Sequence, residues 1–333
     1  MKGLATWELI EHSLEKNIPV MLLYVLESKG SSPGRQGFFM AVTDDVAPAS
    51  SNMEGSIGGG IMEHKFVEMA REKLRAVSGD LRAGSIKKQY HDKTAAKNQS
   101  GMICSGEQTI FLYPVQQKDK TTIQAIISSL ALNKNGTLVL SPDGIDFTDS
   151  VPGKDFHFVM QAEDDWEYRE KTGYKNKLSV IGGGHCSLAF CRLMRSLDFY
   201  IRVYDDRSAL KTMLENEAAH EKHFVNSYSE LSDLIESGAD HYVVIMTMGY
   251  RSDDIALKAL LNKQFRFLGV LGSQTKIKNM MDEYEKEETK RELIQTIHAP
   301  AGLAIKSQTP EEIAVSIAAQ IIQIKNQDFH HIT

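Results

Sequence analysis

The chain has 333 residues, 42% hydrophobic and 25% charged, with a formal net charge of −6. Such values belong to globular domains, and at about 100–200 residues per domain the length predicts two of them. A net acidic chain lacks the basic surface of a general nucleic-acid binder, which excludes that class of partner while leaving room for a local pocket around one small phosphorylated ligand.

The N-terminal stretch "MKGLATWELIEHSLEKN" reads as a polar-faced helix with Thr6 as its cap, not as a signal peptide. No apolar run approaches the ~20 residues of a membrane span. Cys104, Cys186 and Cys191 show neither the paired spacing of a disulfide framework nor a zinc-type CxxC. A cytoplasmic, reduced protein without membrane contact is expected.

The run "PVMLLYVLES" at 19–28 is continuously apolar after Pro19 and predicts a buried strand. The loop "KGSSPGRQG" and a strand "FFMAVT" follow. Gly58, Gly59 and Gly60 then open a helix expected over Ile61 to Val77. "SIKKQYH" and "TIFLYPV" predict strands on either side of a polar loop that contains Cys104. A helix near 121–132 and a strand "TLVLS" complete a first domain expected over 1–140. Residues 141–176 are turn-rich and then charged, and are expected to connect the domains.

From 177 to 333 strands and helices alternate. "KLSVIGG", "YIRVYDD", "HFVNSY", "HYVVIMTM" and "FRFLGVLG" predict strands, with helices near 184–197, 208–218, 229–237 and 252–263 and a long charged helix after the last strand. The final helix has Thr309 as N-cap, Pro310 at its first position and Glu312 two further on, a capping box. The expected fold class is therefore α/β: an N-terminal α/β domain, then a Rossmann-like, doubly wound parallel sheet.

The second glycine triplet fits the dinucleotide fingerprint G-x-G-x-x-G through Gly182 and Gly184, with Ser187 in the third place. His185 follows at the helix start. Asp205 and Asp206 end the next strand, where a carboxylate accepts from ribose hydroxyls and repels a 2′-phosphate, with Arg207 adjacent. The alternative is a tight turn that holds nothing. The first triplet departs from the fingerprint, because Glu63 stands where a small residue belongs. A carboxylate there would repel a pyrophosphate. It would accept hydrogen bonds from the N–H edge of a pterin or guanine-like ring, or merely complement the helix dipole.

Several of these stretches together resemble one family. "GSSPGRQGFFMAV" (30–42), "GSIGGGIMEH" (55–64) and "GMICSGEQTIFLYP" (101–114) are similar to the N-terminal domain of the XdhC/CoxI family, the xanthine dehydrogenase accessory proteins. "LSVIGGGHCSLA", "GVLGSQTK" (269–276) and "APAGLAIKSQTPEEIAVSIAAQI" (299–321) are similar to its C-terminal Rossmann domain. The resemblance implies a non-catalytic protein that binds molybdenum cofactor (molybdopterin), protects it and assists its sulfuration. It also implies delivery to a xanthine dehydrogenase-type molybdenum hydroxylase, association with a cysteine desulfurase, and a homodimer.

On that reading Ser31, Ser32, Arg35, Gly58, Gly59, Gly60, Glu63 and Cys104 hold the cofactor, the Cys104 thiolate serving as a soft metal ligand or sulfur acceptor. Gly182, Gly184, His185 and Asp205 form a second site, for NAD(P) or another nucleotide. The chain departs from the family pattern at three places: Ser105 follows Cys104 where a glycine is common, Gly34 separates Pro33 from Arg35, and Met248 and Tyr250 replace a histidine pair ahead of Asp253 and Asp254. The alternatives are an NAD(P)-dependent oxidoreductase, for which no acid–base pair beside the nicotinamide is evident, and a nucleotide-handling enzyme, for which "GGGIMEHK" lacks the GK[ST] ending.

Overall fold

An apolar run without alternation belongs to a strand buried on both faces, and β1 (Val20–Gly30) is one. Leu22, Tyr24 and Leu26 join one core cluster, while Met21, Leu23 and Val25 join another on the opposite face. The strand is the centre of an antiparallel sheet with β2 (Phe39–Thr43), β3 (Met53–Gly55), β4 (Ser85–Tyr90) and β5 (Gly106–Pro114), ordered β3-β2-β1-β5-β4. One face is covered by α2 (Gly60–Arg75) through Met62, Phe66, Val67 and Ala70. The other packs on α1 (Leu4–Glu15) and α3 (Lys120–Ala131). The computed structural model describes residues 3–44, 52–76, 84–90, 106–286 and 294–327.

The chain divides into two units, Met1–Gly173 and Tyr174–Thr333. The first ends well beyond residue 140, which corrects the expected boundary. Residues expected to connect the domains instead build most of a second antiparallel sheet. Its strands are β6 (Gly136–Ser141), β7 (Gly144–Thr148), β8 (Phe156–Ala162) and β9 (Asp165–Thr172), ordered β7-β6-β9-β8. The charged composition misleads because one face is solvated. Along β9, Trp166, Tyr168 and Glu170 turn inward while the residues between them are exposed or half-buried.

Glu170 fastens this sheet to β1. Its carboxylate Oε2 accepts from the Tyr24 hydroxyl at 2.6 Å and the Tyr168 hydroxyl at 2.7 Å. Burial and the nearby carboxylate push both phenols well above their usual range, so both remain donors.

The second unit is the expected Rossmann-like domain. β10 (Asn176–Ile181), β11 (Phe199–Asp205), β12 (Glu221–Phe224), β13 (Gly238–Ile245), β14 (Phe265–Val270) and β15 (Ile297–His298) form a parallel sheet ordered β12-β11-β10-β13-β14-β15. This is the dinucleotide-fold order, with its reversal between β10 and β13. α4 (His185–Ser196) and α9 (Pro310–Asn326) share a core with one face, and α7 (Tyr250–Leu260) and α8 (Gln274–Lys286) with the other. Thr309 and Glu312 make the expected capping box. The helix expected over 208–218 shortens to α5 (Lys211–Leu214). Beyond it the chain turns inward, burying Asn216 and bonding His220 N–H to the Ile201 carbonyl at the sheet edge. The stretch expected as a helix at 229–237 holds a 3-10 turn at Tyr228–Glu230 and α6 (Leu231–Leu234).

Replacing Glu170 by Ala removes the acceptor that two buried hydroxyls share, so it is expected to lower the stability of the first unit by about 2–3 kcal/mol; Glu170→Gln keeps one acceptor oxygen and should cost about 1 kcal/mol. Both tryptophans, Trp7 and Trp166, lie in that unit's core. Denaturant unfolding followed by tryptophan fluorescence therefore reads this unit alone, and equal stability of the Ala variant and wild type would show the clamp to be inert.

Candidate functional site

Three glycine-bearing segments of the first unit meet where β1 ends and β5 begins. Gly30 pairs with Gly106 at the last rung of the β1–β5 ladder. From there the loop 31–38 folds back on β1. The Gln36 side chain donates to the Leu26 carbonyl at 2.8 Å, and Gly37 N–H donates to the Val25 carbonyl at 3.0 Å. The loop then lies against the triplet. A Cβ on Gly34 would sit 1.9 Å from the Ile57 carbonyl oxygen, and one on Gly58 would sit 2.4 Å from Gly34 N. A Cβ on Gly106 would sit 2.7 Å from the Ser31 carbonyl carbon. These approaches exclude any side chain.

Gln108 joins the segments. It is buried at 1% exposure, and its side-chain amide donates to the Gly34 carbonyl at 2.9 Å and the Ile57 carbonyl at 3.5 Å. Nothing local in the sequence marks it, because its role exists only once both loops are folded.

Glu63, expected as a ring acceptor, has one carboxylate oxygen committed to its own turn. Its Oε2 accepts from the Ser56 hydroxyl at 2.6 Å, Ile57 N–H at 2.9 Å and Gly59 N–H at 3.0 Å. The carboxylate one turn into α2 thus ties down the loop that leads into the helix. The short tether favours donors of its own turn, one hydroxyl and two main-chain N–H groups, as partners of this oxygen.

Gly59 and Gly60 differ from Gly58. Both have left-handed backbones, with φ of 74° and 69°, and a Cβ on either would meet nothing within 4 Å among the described residues. Among the described residues nothing covers them, at the start of a helix whose first amides have no intrahelical partner. Ser31 is exposed, and Ser32 is buried with its hydroxyl donating to the Gly34 carbonyl at 3.1 Å. Arg35 is exposed, and among the described residues its guanidinium donates to the Gly30 carbonyl at 3.1 Å. Cys104 lies outside the described residues. Among those described, no group of three or more His, Cys, Asp or Glu side chains could hold a metal, and no helix is long and apolar enough to cross a membrane.

In the second unit Gly182 makes the tight turn after β10. Its φ is 104°, and a Cβ there would lie 2.4 Å from the Met246 carbonyl oxygen. Among the described residues nothing lies within 4 Å of a Cβ on Gly184, and His185 is exposed as the first residue of α4. Asp205 is fully buried and bonded to Gly183 N–H at 2.6 Å. Its pKa is lowered although burial opposes this, because the Arg207 side chain and main-chain amides stabilise the anion.

At the same edge of the sheet Asp253, also fully buried, accepts from the Thr247 hydroxyl at 2.6 Å and pairs with the Lys276 ammonium. Lys276 also donates to the Leu271 carbonyl at 3.2 Å. The lysine closes the "GVLGSQTK" stretch, 23 residues beyond the aspartate, and no local signal joins the two until the strands are placed. Met248 is 82% exposed, and Tyr250 donates to Glu283.

A glycine-loop domain followed by a Rossmann unit is the class of protein these sheets define. The protein belongs to the XdhC/CoxI family: residues 13–83 match the XdhC and CoxI family model, and residues 178–321 match that of the XdhC Rossmann domain. It is similar to the uncharacterized protein YqeB of Escherichia coli, 25% identical over 313 residues, which covers 94% of this chain and 44% of that one. It is also similar to a probable xanthine dehydrogenase subunit of Bacillus subtilis, 26% identical over 155 residues, covering 46% of this chain and 44% of the relative. The chain thus spans less than half the length of the curated relatives it matches. A crystal structure described as a xanthine dehydrogenase from Bacillus halodurans superposes with a TM-score of 0.70 at 22% identity, covering 98% of this chain and 96% of the other, and so shares the fold.

The three glycines of the first triplet should separate by substitution. Gly58→Ala forces a clash and a left-handed backbone together, and should cost at least about 2 kcal/mol. Gly60→Ala meets open space and should cost about 1 kcal/mol of backbone strain alone. Tryptophan-monitored unfolding checks both, and equal losses would mean that the open space at Gly60 is filled.

Proposed function

We propose that the protein is a xanthine dehydrogenase accessory protein that binds molybdenum cofactor on the glycine loops of its first unit. Bound there, the cofactor is protected, assisted in sulfuration and passed to a xanthine dehydrogenase-type molybdenum hydroxylase. The observation that carries the reading is that, among the described residues, nothing lies against Gly59 and Gly60. Two loops and a strand converge on Gln108, yet among the described residues none of them covers these glycines at the start of α2.

The fit to a pterin phosphate is good at three points. Helix-start amides beside bare glycines suit an anion. The exposed Arg35 guanidinium suits bidentate contact with phosphate oxygens. Ser31 adds an exposed hydroxyl at the loop's entry. Glu63 would act indirectly, by holding Ile57 and Gly59 in place. When bound, the cofactor supplies molybdenum held by a dithiolene. Cys104, two residues before Gly106 in the sequence, is the proposed soft ligand or sulfur acceptor. A cysteine desulfurase as sulfur source and a homodimer complete the proposal.

Full-length protein from a host lacking the cofactor, titrated with isolated molybdenum cofactor, tests it. Wild type should bind, and Gly60→Ala and Arg35→Ala should each bind at least about tenfold more weakly, since tenfold is about 1.4 kcal/mol and lies within the value of one charged hydrogen bond. Cys104→Ser should bind pterin but retain less molybdenum. Absence of binding by wild type, or undiminished binding by Gly60→Ala, would overturn the assignment. Full metal retention by Cys104→Ser would remove the thiol from it.

A further inference from the structure

The second unit carries the strand order and glycine turn of a dinucleotide-binding domain, but its ribose-reading carboxylate is already taken. In such domains the acid that ends the second strand accepts from the adenosine ribose hydroxyls. Asp205 holds that position at the end of β11. Its Oδ2 accepts from Gly183 N–H at 2.6 Å and Arg207 Nη2 at 2.8 Å, and its Oδ1 accepts from Arg207 N–H and Nε, both at 2.9 Å. A carboxylate has about four lone-pair sites, and four donors fill them.

The arginine also reaches the far wall. Its Nη1 lies 3.5 Å from Sδ of Met248, which follows β13. Because β11 and β13 flank β10 on opposite sides, this side chain crosses the line a dinucleotide follows over the switch point. Behind it, Met213 packs against Gly183, and the Thr212 hydroxyl donates to the Gly183 carbonyl at 2.5 Å. The fork is equally unavailable to a 2′-phosphate. Its Nε and Nη2 are committed to Asp205, and Asp206 stands 3.8 Å from Nε, leaving two carboxylates around one guanidinium.

We propose that Arg207 is a latch that closes the ribose half of this crevice, so that the second unit as folded takes neither NAD(H) nor NADP(H). Among the described residues nothing covers the pyrophosphate side at Gly184. A dinucleotide gains its ribose contact only by unseating the arginine.

The test is titration of the full-length protein with NADH and NADPH, followed by nicotinamide fluorescence and calorimetry. Wild type should bind both more weakly than on the order of 1 mM. Arg207→Ala frees Asp205 for the ribose and should raise NADH affinity at least about tenfold, with no matching gain for NADPH. Should that variant fail to fold with its buried acid unpaired, Arg207→Lys carries the test, because it keeps a cation beside Asp205 and loses the fork. Met248→Ala, which loosens the far contact alone, should give a smaller gain. Micromolar NADH binding by wild type overturns the latch. So does a folded Arg207→Ala or Arg207→Lys protein that binds NADH no better than wild type.

Discussion

The first unit's site rests on how closely two backbones approach at Gly34 and Gly58. The loop 31–38 and the turn before α2 touch main chain to main chain, and the Gln108 amide bonds a carbonyl of each. No side chain on either loop could be accommodated at that contact. The extra glycine between Pro33 and Arg35 is the contact residue itself. It lets the loop dock while Arg35 stays exposed. The start of α2 is thereby held from two directions, by β5 through Gln108 and by its own first turn through Glu63.

Both glycine turns are organised by a carboxylate that bonds inward. Glu63 gathers three donors of residues 56–59, and Asp205 gathers Gly183 and Arg207. In sequence each stands where a ligand-facing acid would, since a main-chain N–H and a ligand N–H or O–H ask the same of an acceptor. The chain's own donors have the advantage of being tethered nearby. Glycine supplies the turn in both places, and the acid keeps it from relaxing. Among the described residues the two turns part company in what remains open: Gly59 and Gly60 in one, Gly184 in the other.

Much of this is legible in the residues. The apolar run of β1, the alternation of the second half, the Gly182 turn and the Thr309 capping box all carry local signals that tertiary packing reinforces. What escapes depends on distant partners. The sheet of β6 to β9 hides behind its solvated face, where Glu170 looks like one more surface charge although two tyrosines from different strands bond it. The helix expected over 208–218 stops at Leu214, beyond which Asn216 is buried. Gln108 and the Asp253–Lys276 pair have meaning only after strands far apart in sequence are side by side. For the site itself, the loops are visible as motifs, but which glycines are packed and which are bare is decided by the folded backbone.

The parallel sheet of the second unit ends in short strands on both sides, four residues in β12 and two in β15. An incoming strand at either margin would find few main-chain groups to bond, and such brevity is how natural sheets discourage edge-to-edge aggregation. Recruitment of another chain by strand addition, which draws its affinity from a long main-chain ladder, is therefore poorly served here. A protein that docks on this unit would have to be recognised by the side chains of its helices and loops.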